Sequence, residues 1–262
     1  MPLVTTDAVV LHAFDYLENS RILKLATRDA GLQSVVARGA RASQKRFGAG
    51  LDLFASGVVQ VQSRPGRELQ QLAGFDLTRA RVALAQDLER FTAASALTEL
   101  VLRFAGDDHG GELYDTLVGA LDALAEAPPG TACDVGLAGA WRLVAVLGFA
   151  PAIDGCCRCH AEIDAEAGVS FSHAAGGAAC RVCATQLPRG RSLPAAARDA
   201  LRAWTAGHGF PLADGATRRA HQRLLREFLE YHLADGRTLR AFEAWERGAI
   251  AGASRTPDGA TP

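Results

Sequence analysis

Ser20-Arg-Ile-Leu-Lys-Leu-Ala-Thr27-Arg-Asp-Ala-Gly31-Leu-Gln-Ser-Val-Val-Ala-Arg38 decides how the first third of the chain is read. Two short runs of aliphatic and β-branched residues flank Arg28-Asp-Ala-Gly31, a turn signal, so the segment is predicted to be two strands. Working outward, similar runs lie near Thr5 to Ala13, Gly57 to Ser63 and Leu69 to Phe75, with Arg64-Pro-Gly66 as a second clear turn. Val58-Val-Gln-Val-Gln alternates as a half-buried strand does. Five short strands within about 75 residues are too few for a sandwich. They suit a small closed barrel of the OB or SH3 type, since a lone flat sheet leaves unpaired edges.

From Thr78 the periodicity changes. Val82, Leu84, Leu88, Phe91, Ala94, Leu97, Val101 and Phe104 recur at helical spacing with no Gly or Pro between Arg79 and Ala105, which predicts one long amphipathic helix. Glu112 to Glu126 and Asp134 to Phe149 read as two more, joined by Ala-Pro-Pro-Gly130. Pro194 to Ala206, Thr217 to Ala234 and Leu239 to Arg247 complete the set. The expected fold class is α+β: a five-stranded barrel over residues 1–78, then a mainly helical domain over 79–250 with a cysteine-bearing module inserted at 153–187. The Gly-, Pro- and Ser-containing tail, 251–262, is expected to be disordered.

A hydrophobic content of 48% is ample for a buried core. The net charge of −1 hides a polarity: residues 1–75 and 156–262 carry an excess of Lys and Arg, while 76–155 are acidic. No window approaches the roughly 18 apolar residues of a membrane span, and the opening residues lack the basic-then-apolar pattern of a signal peptide, so a cytoplasmic protein is expected.

Five of the six cysteines fall between 156 and 183. Cys156-Cys-Arg-Cys159 and Cys180-Arg-Val-Cys183 form C-x2-C pairs twenty residues apart, the spacing of a four-cysteine zinc site. The intervening Val169-Ser-Phe-Ser and Ala-Ala-Gly176-Gly177 read as a hairpin that returns the second pair to the first, with the two glycines in the turn. Cys157 is an alternative to Cys156, but only Cys156 keeps the two-residue gap. His160 and His173 are read as bystanders, and Cys133 as a small buried residue. A site closed by four thiolates has no open position for water or substrate, so one structural Zn2+ is expected rather than a catalytic one. No G-x-S-x-G, phosphate-binding loop, H-E-x-x-H or dinucleotide fingerprint occurs, and no enzymatic activity is expected.

Arg38-Gly-Ala-Arg41-Ala-Ser-Gln-Lys45-Arg46-Phe-Gly supplies four cations in nine residues, with no acid before Asp52. A solvated loop carries such charges too. The functional reading is phosphate tracking along a barrel groove, with Phe47 or Phe54 as aromatics that are more often core residues. Arg64 and Arg67 extend the same face in this reading. Thr217 to Arg226 is a basic helix that is either a docking surface for an acidic tail or a solvated face.

These parts together resemble the RecO-type DNA repair and recombination mediator proteins of bacteria. The resemblance rests on Thr6-Asp-Ala-Val-Val-Leu11, Asp15-Tyr16, Asn19-Ser-Arg-Ile-Leu23, Thr27-Arg-Asp-Ala-Gly31 and Val36-Ala-Arg-Gly-Ala-Arg41. Downstream it rests on Leu147-Gly-Phe-Ala-Pro151, Phe171 and Gly176-Gly177 around the cysteine pairs. It covers roughly residues 4–247. It implies an N-terminal OB-fold, a helical second domain with a zinc module, and binding of single- and double-stranded DNA. It also implies annealing of strands coated by single-strand-binding protein, and action with RecR to load RecA near the nucleoid. Carried over by position, Arg38, Arg41, Lys45 and Arg46 sit on the DNA-binding face. Two departures stand out: His160 occupies a position where the family often has Gly, and Cys157 is an extra thiol. The rival readings are a sequence-specific regulator, whose recognition helix is cut short by Pro188, and a metal-dependent nuclease, which needs an open metal site.

Overall fold

The computed structural model describes residues 2–40, 47, 51–106, 110–164, 166–187, 190–232 and 238–253. Five strands, β1 (Leu3–Tyr16), β2 (Ser20–Thr27), β3 (Gly31–Ala37), β4 (Ser56–Gln62) and β5 (Leu69–Arg79), close into a barrel of order β1-β2-β3-β5-β4. All neighbours are antiparallel except β3 and β5. Following cross-strand partners round the barrel from Leu3 to Gln62, Gln71, Val36 and Ile22 returns to β1 at Phe14, eleven residues on. That stagger tilts the strands and lets five of them enclose a filled interior. Val10, Leu23, Leu25, Val35, Val59, Leu72 and Phe75 fill it, with Phe47 plugging it from the segment between β3 and β4. The result is the OB-fold form of the expected barrel.

The strands run longer than the sequence suggests. β1 and β5 extend to Tyr16 and Arg79, because their outer halves pair with only one neighbour and leave the apolar alternation that marked their centres.

The single helix expected over 79–105 is two: α1 (Val82–Gln86) and α2 (Leu88–Phe104). Asp87 between them is extended (φ −130°, ψ 125°), and its carboxylate accepts from the Arg90 N–H at 2.9 Å. A capping side chain here satisfies an N–H group that a fresh helix start leaves orphaned, and Asp favours that role over a helix interior. The apolar period continues across the break, which is why periodicity alone joined the two pieces.

The remaining long helices are α3 (Gly111–Glu126), α4 (Ala132–Val146), α6 (Ala195–Thr205), α7 (Gly215–His232) and α8 (Arg240–Ala253); the short α5 (Arg181–Ala184) belongs to the cysteine module. α8 continues into the tail expected from 251 on, and residues 254–262 lie outside the described ones. The α2 helix packs between α4 and α8, and α4 also contacts α3 and α6. Trp141, Trp204 and Trp245 are fully buried there, with the Phe228 ring tilted against Trp141 and their centres 5.5 Å apart.

One apolar core joins barrel and helices. Val9, Leu11, Ala26 and Phe54, on the outside of the barrel, are buried with Leu97, Leu100 and Leu113. Arg81 bridges the two parts as well: its Nε donates to Asp122 of α3, and its Nη1 to the Phe54 carbonyl and Ser56 Oγ. No helix among the described residues is long and apolar enough to cross a membrane.

Candidate functional site

The cysteine module is a three-stranded sheet, β7 (Gly177–Ala179), β6 (Val169–Ser172) and β8 (Arg191–Leu193) in that order, with two loops at its tip. β6 and β7 form the expected hairpin. β8 lies beyond the expected boundary at 187, because a strand of three residues carries no readable alternation. Gly176 makes the turn at φ +72°, a left-handed conformation open to glycine. Gly177 is required for a different reason. It pairs with Ala152, whose backbone comes so close that a Cβ at 177 would lie 2.2 Å from the Ala152 oxygen.

The first loop is a tight knuckle. The Cys156 N–H donates to the Ala161 carbonyl at 2.8 Å, the His160 N–H donates to the Cys156 carbonyl at 2.9 Å, and His160 itself is left-handed at φ +60°. That conformation favours glycine over a residue with a side chain. The Cys157 N–H donates to the Ala178 carbonyl, tying the knuckle to β7. In the second loop Cys180 caps α5, and its sulfur accepts from the Cys183 N–H at 3.5 Å. The Cys180 N–H in turn donates to Cys156 Sγ at 3.4 Å.

These loops bring the sulfurs of Cys156, Cys159, Cys180 and Cys183 within 4.8 Å of one another, with Cys159 and Cys180 3.9 Å apart. Thiolates arranged tetrahedrally around an ion at about 2.3 Å stand about 3.8 Å apart, so the cluster has the dimensions of a four-thiolate metal site. Cys157, beside the cluster, does not join it. Burial raises the Cys157 thiol, whereas N–H groups of Cys159 and Cys180 lower Cys156 to about 6. Burial pushes Cys183 up to about 12. Four thiolates in so small a volume need a cation to offset their charge, and the soft sulfur set suits a soft or borderline metal over Mg2+ or Ca2+.

The other cysteine and the histidines stand apart. His173 packs between Phe171 and Phe228, 3.4 Å from Glu227, and burial lowers its basicity. His160 is exposed. Cys133 is buried at the start of α4, its thiol pushed up to about 12 by burial and then by Glu89 and Asp134.

Of the cations expected to face DNA, Arg38 is exposed at the end of β3, and Arg41, Lys45 and Arg46 lie outside the described residues. Arg64 is half-buried and Arg67 exposed on the turn into β5. Because β3 and β5 run parallel, with Ser34 opposite Leu69 and Val36 opposite Gln71, that turn lies at the end where β3 begins. Arg38 leaves the other end, so it does not share one patch with Arg64 and Arg67. Phe47 and Phe54 are both buried, which removes them as stacking partners. Among the described residues the barrel's exposed aromatics are Phe14 and Tyr16, at alternate positions of β1, and nothing in the sequence marks them as stacking residues.

On the basic helix α7, Arg218 is paired with Asp134 at 2.7 Å, and Arg223 and Arg226 with Glu246 at 3.2 and 2.8 Å. Three of its cations therefore lock helices together, the outcome closer to a structural face than to a docking one.

The chain matches the family model "Recombination protein O N terminal" over residues 1–81 and "Recombination protein O C terminal" over residues 85–241. It is 38% identical over 249 residues to the DNA repair protein RecO of Anaeromyxobacter sp. (strain K), covering 92% of this chain and 95% of that protein. To the DNA repair protein RecO of Rubrobacter xylanophilus it is 32% identical over 234 residues, covering 89% and 92%. The barrel, the cysteine module and all but the last of the long helices thus fall within matched segments, and the chain belongs to the RecO family of DNA repair proteins.

Proposed function

We propose that the protein is a non-catalytic recombination mediator. It works in two parts, a DNA-binding barrel over residues 1–78 and a helical part over 79–250 that carries the metal module 153–187. The barrel binds single- and double-stranded DNA by neutralising phosphates through Arg38, Arg41, Lys45 and Arg46. Arg64 and Arg67 form a separate contact at the opposite end of the β3–β5 pair. Backbone contacts of this kind need no base reading and hold two strands close enough to pair. The protein anneals complementary strands coated by single-strand-binding protein. Its helical part meets that protein and RecR, through which RecA is loaded. This activity belongs to the cytoplasm, at the nucleoid during repair.

The metal is one Zn2+ on Cys156, Cys159, Cys180 and Cys183. Bound there, it supplies a cross-link and charge balance, not Lewis-acid chemistry. The knuckle and the Cys180 cap orient the sulfurs, and Phe171 anchors the module on the helical core through Phe228 (5.9 Å between ring centres).

The observation that carries the reading is the closed OB-type barrel, whose β3 ends in exposed Arg38 at the head of a cation-rich segment, in a chain of the RecO family. Annealing of complementary strands coated with single-strand-binding protein, followed against salt concentration, tests it. Annealing that declines as salt rises supports the reading, and zinc-replete protein that neither binds nor anneals DNA overturns it.

A further inference from the structure

The β1 strand changes faces part-way along. Before Leu11, even-numbered residues point into the barrel (Ala8, Val10) and Val9 packs with the helices. The register against β2 then slips between Val10 and His12, a β-bulge at Leu11. A bulge inserts one residue and reverses the alternation that follows. Beyond it Ala13 packs inward, while His12, Phe14 and Tyr16 stand outward opposite Lys24, Ile22 and Ser20. Phe14 is 41% and Tyr16 42% exposed, and the His12 and Phe14 rings are 5.7 Å apart. Without the bulge these aromatics would turn toward the barrel interior.

The open face continues into a cleft of about 370 Å³ between barrel and helices, lined by His12, Lys24, Arg103 and Arg240. Glu99 also lines it, but its carboxylate accepts from the Arg240 and Ala241 N–H groups at 3.1 and 2.8 Å and so is engaged by the start of α8. Lys24 makes no ion pair among the described residues. Exposed rings beside a cationic cleft match a polyanion with aromatic faces. Alternate strand residues are about 6.6 Å apart, twice the roughly 3.4 Å per nucleotide of a duplex strand. A single strand stretched along β1 can therefore set one base on each ring, whereas a duplex keeps its bases paired and out of reach.

We propose that this outer face of β1, formed by Phe14 and Tyr16 with Lys24 beside them, is a seat on which bases of single-stranded DNA stack, and that it gives the barrel a preference for single strands over duplex. The proposal rests on the reading that the barrel binds DNA, and it adds stacking residues to the cations named there.

The test uses the full-length protein with a labelled oligothymidine and a blunt duplex of equal length, each titrated in the wild type, in Phe14→Ala/Tyr16→Ala and in Arg38→Glu. The double variant is expected to lose about tenfold or more in oligothymidine affinity, with the slope against salt and the duplex affinity unchanged. Arg38→Glu is expected to weaken both ligands and flatten the slope. Phe14→Trp gives a second readout that does not depend on removing a side chain: its emission should be quenched by oligothymidine and not by duplex. Wild-type binding to both ligands with an unaffected double variant, an equal loss for both ligands, or an unquenched tryptophan overturns the stacking seat alone. A wild type that binds neither ligand overturns the seat together with the DNA-binding reading.

Discussion

Arg81 and Asp122 form a 2.7 Å ion pair across the junction of barrel and helices, with the Arg81 side chain only 1% exposed. The same guanidinium holds the Phe54 carbonyl at 2.6 Å and Ser56 Oγ at 2.8 Å, so one side chain satisfies groups on the β3–β4 segment, β4 and α3. Asp122 also receives Arg79 at 2.6 Å. Removing Arg81 would leave a buried carbonyl and hydroxyl unpaired. Arg81→Ala is therefore expected to cost about 3 kcal/mol or more in urea unfolding. Arg79→Ala, at a half-exposed position, should cost under about 1 kcal/mol.

The four-sulfur cluster predicts one metal equivalent per chain, released by a strong chelator with loss of the module's fold. Cys156→Ser and Cys180→Ser should lower bound zinc to well below one equivalent, and Cys157→Ser should leave it unchanged. Metal quantified by mass spectrometry on the purified variants decides this. Zinc retained by Cys156→Ser and lost from Cys157→Ser would reverse the assignment of the first pair.

Adjacent glycines in the module should respond differently. Gly177→Ala drives a methyl into the Ala152 backbone and is expected to cost about 2 kcal/mol or more, with weakened metal retention. At Gly176, no atom lies within 4 Å of an added Cβ, so only the positive φ is penalised and Gly176→Ala should cost about 1 kcal/mol. Thermal unfolding of the metal-loaded variants compares them.

His160 holds a left-handed backbone at φ +60°. Exchanging it for glycine removes that strain but adds freedom to the unfolded chain, and a net gain of up to about 1 kcal/mol is expected. Metal content should be unaltered. A destabilised His160→Gly protein would mean that the imidazole contributes more than its backbone costs.

His221 is buried against Trp204, with ring centres 4.9 Å apart, and burial lowers its pKa to about 4. In the unfolded chain it returns to about 6.5, so the unfolded state takes up the proton first as pH falls. Its contribution to stability is complete above pH 6.5 and is lost as pH drops toward 4, by about 3 kcal/mol in all. His221→Phe should remove this part of the acid dependence. The difference in unfolding free energy between wild type and variant, measured at neutral pH and near pH 4.5, should therefore shift in favour of the variant at the lower pH. An identical difference at both values would contradict the assignment.

The strand runs, the helical periods and the cysteine spacing were legible in the sequence by itself, because each is written in residues close together along the chain. The aliphatic and β-branched run Ser20 to Thr27 covers the same residues that form β2, and the two C-x2-C pairs mark the four cysteines whose sulfurs converge. Local backbone chemistry was legible only in part. Asp87 is a good capping residue, yet the apolar period on either side hid the break it makes.

What the tertiary structure alone decided are the features set by partners far apart in sequence. The bulge at Leu11 exists only against β2, and it turns Phe14 and Tyr16 outward while Phe47 and Phe54 go into the core. The parallel pairing of β3 with β5 sends Arg38 and Arg67 to opposite ends, although both looked like parts of one basic face. The requirement for glycine at 177 comes from a backbone twenty-five residues earlier, at Ala152. Side-chain alternation has a period of two, so a single inserted residue reverses every face beyond it, and no reading of one strand without its neighbour reveals where that insertion falls.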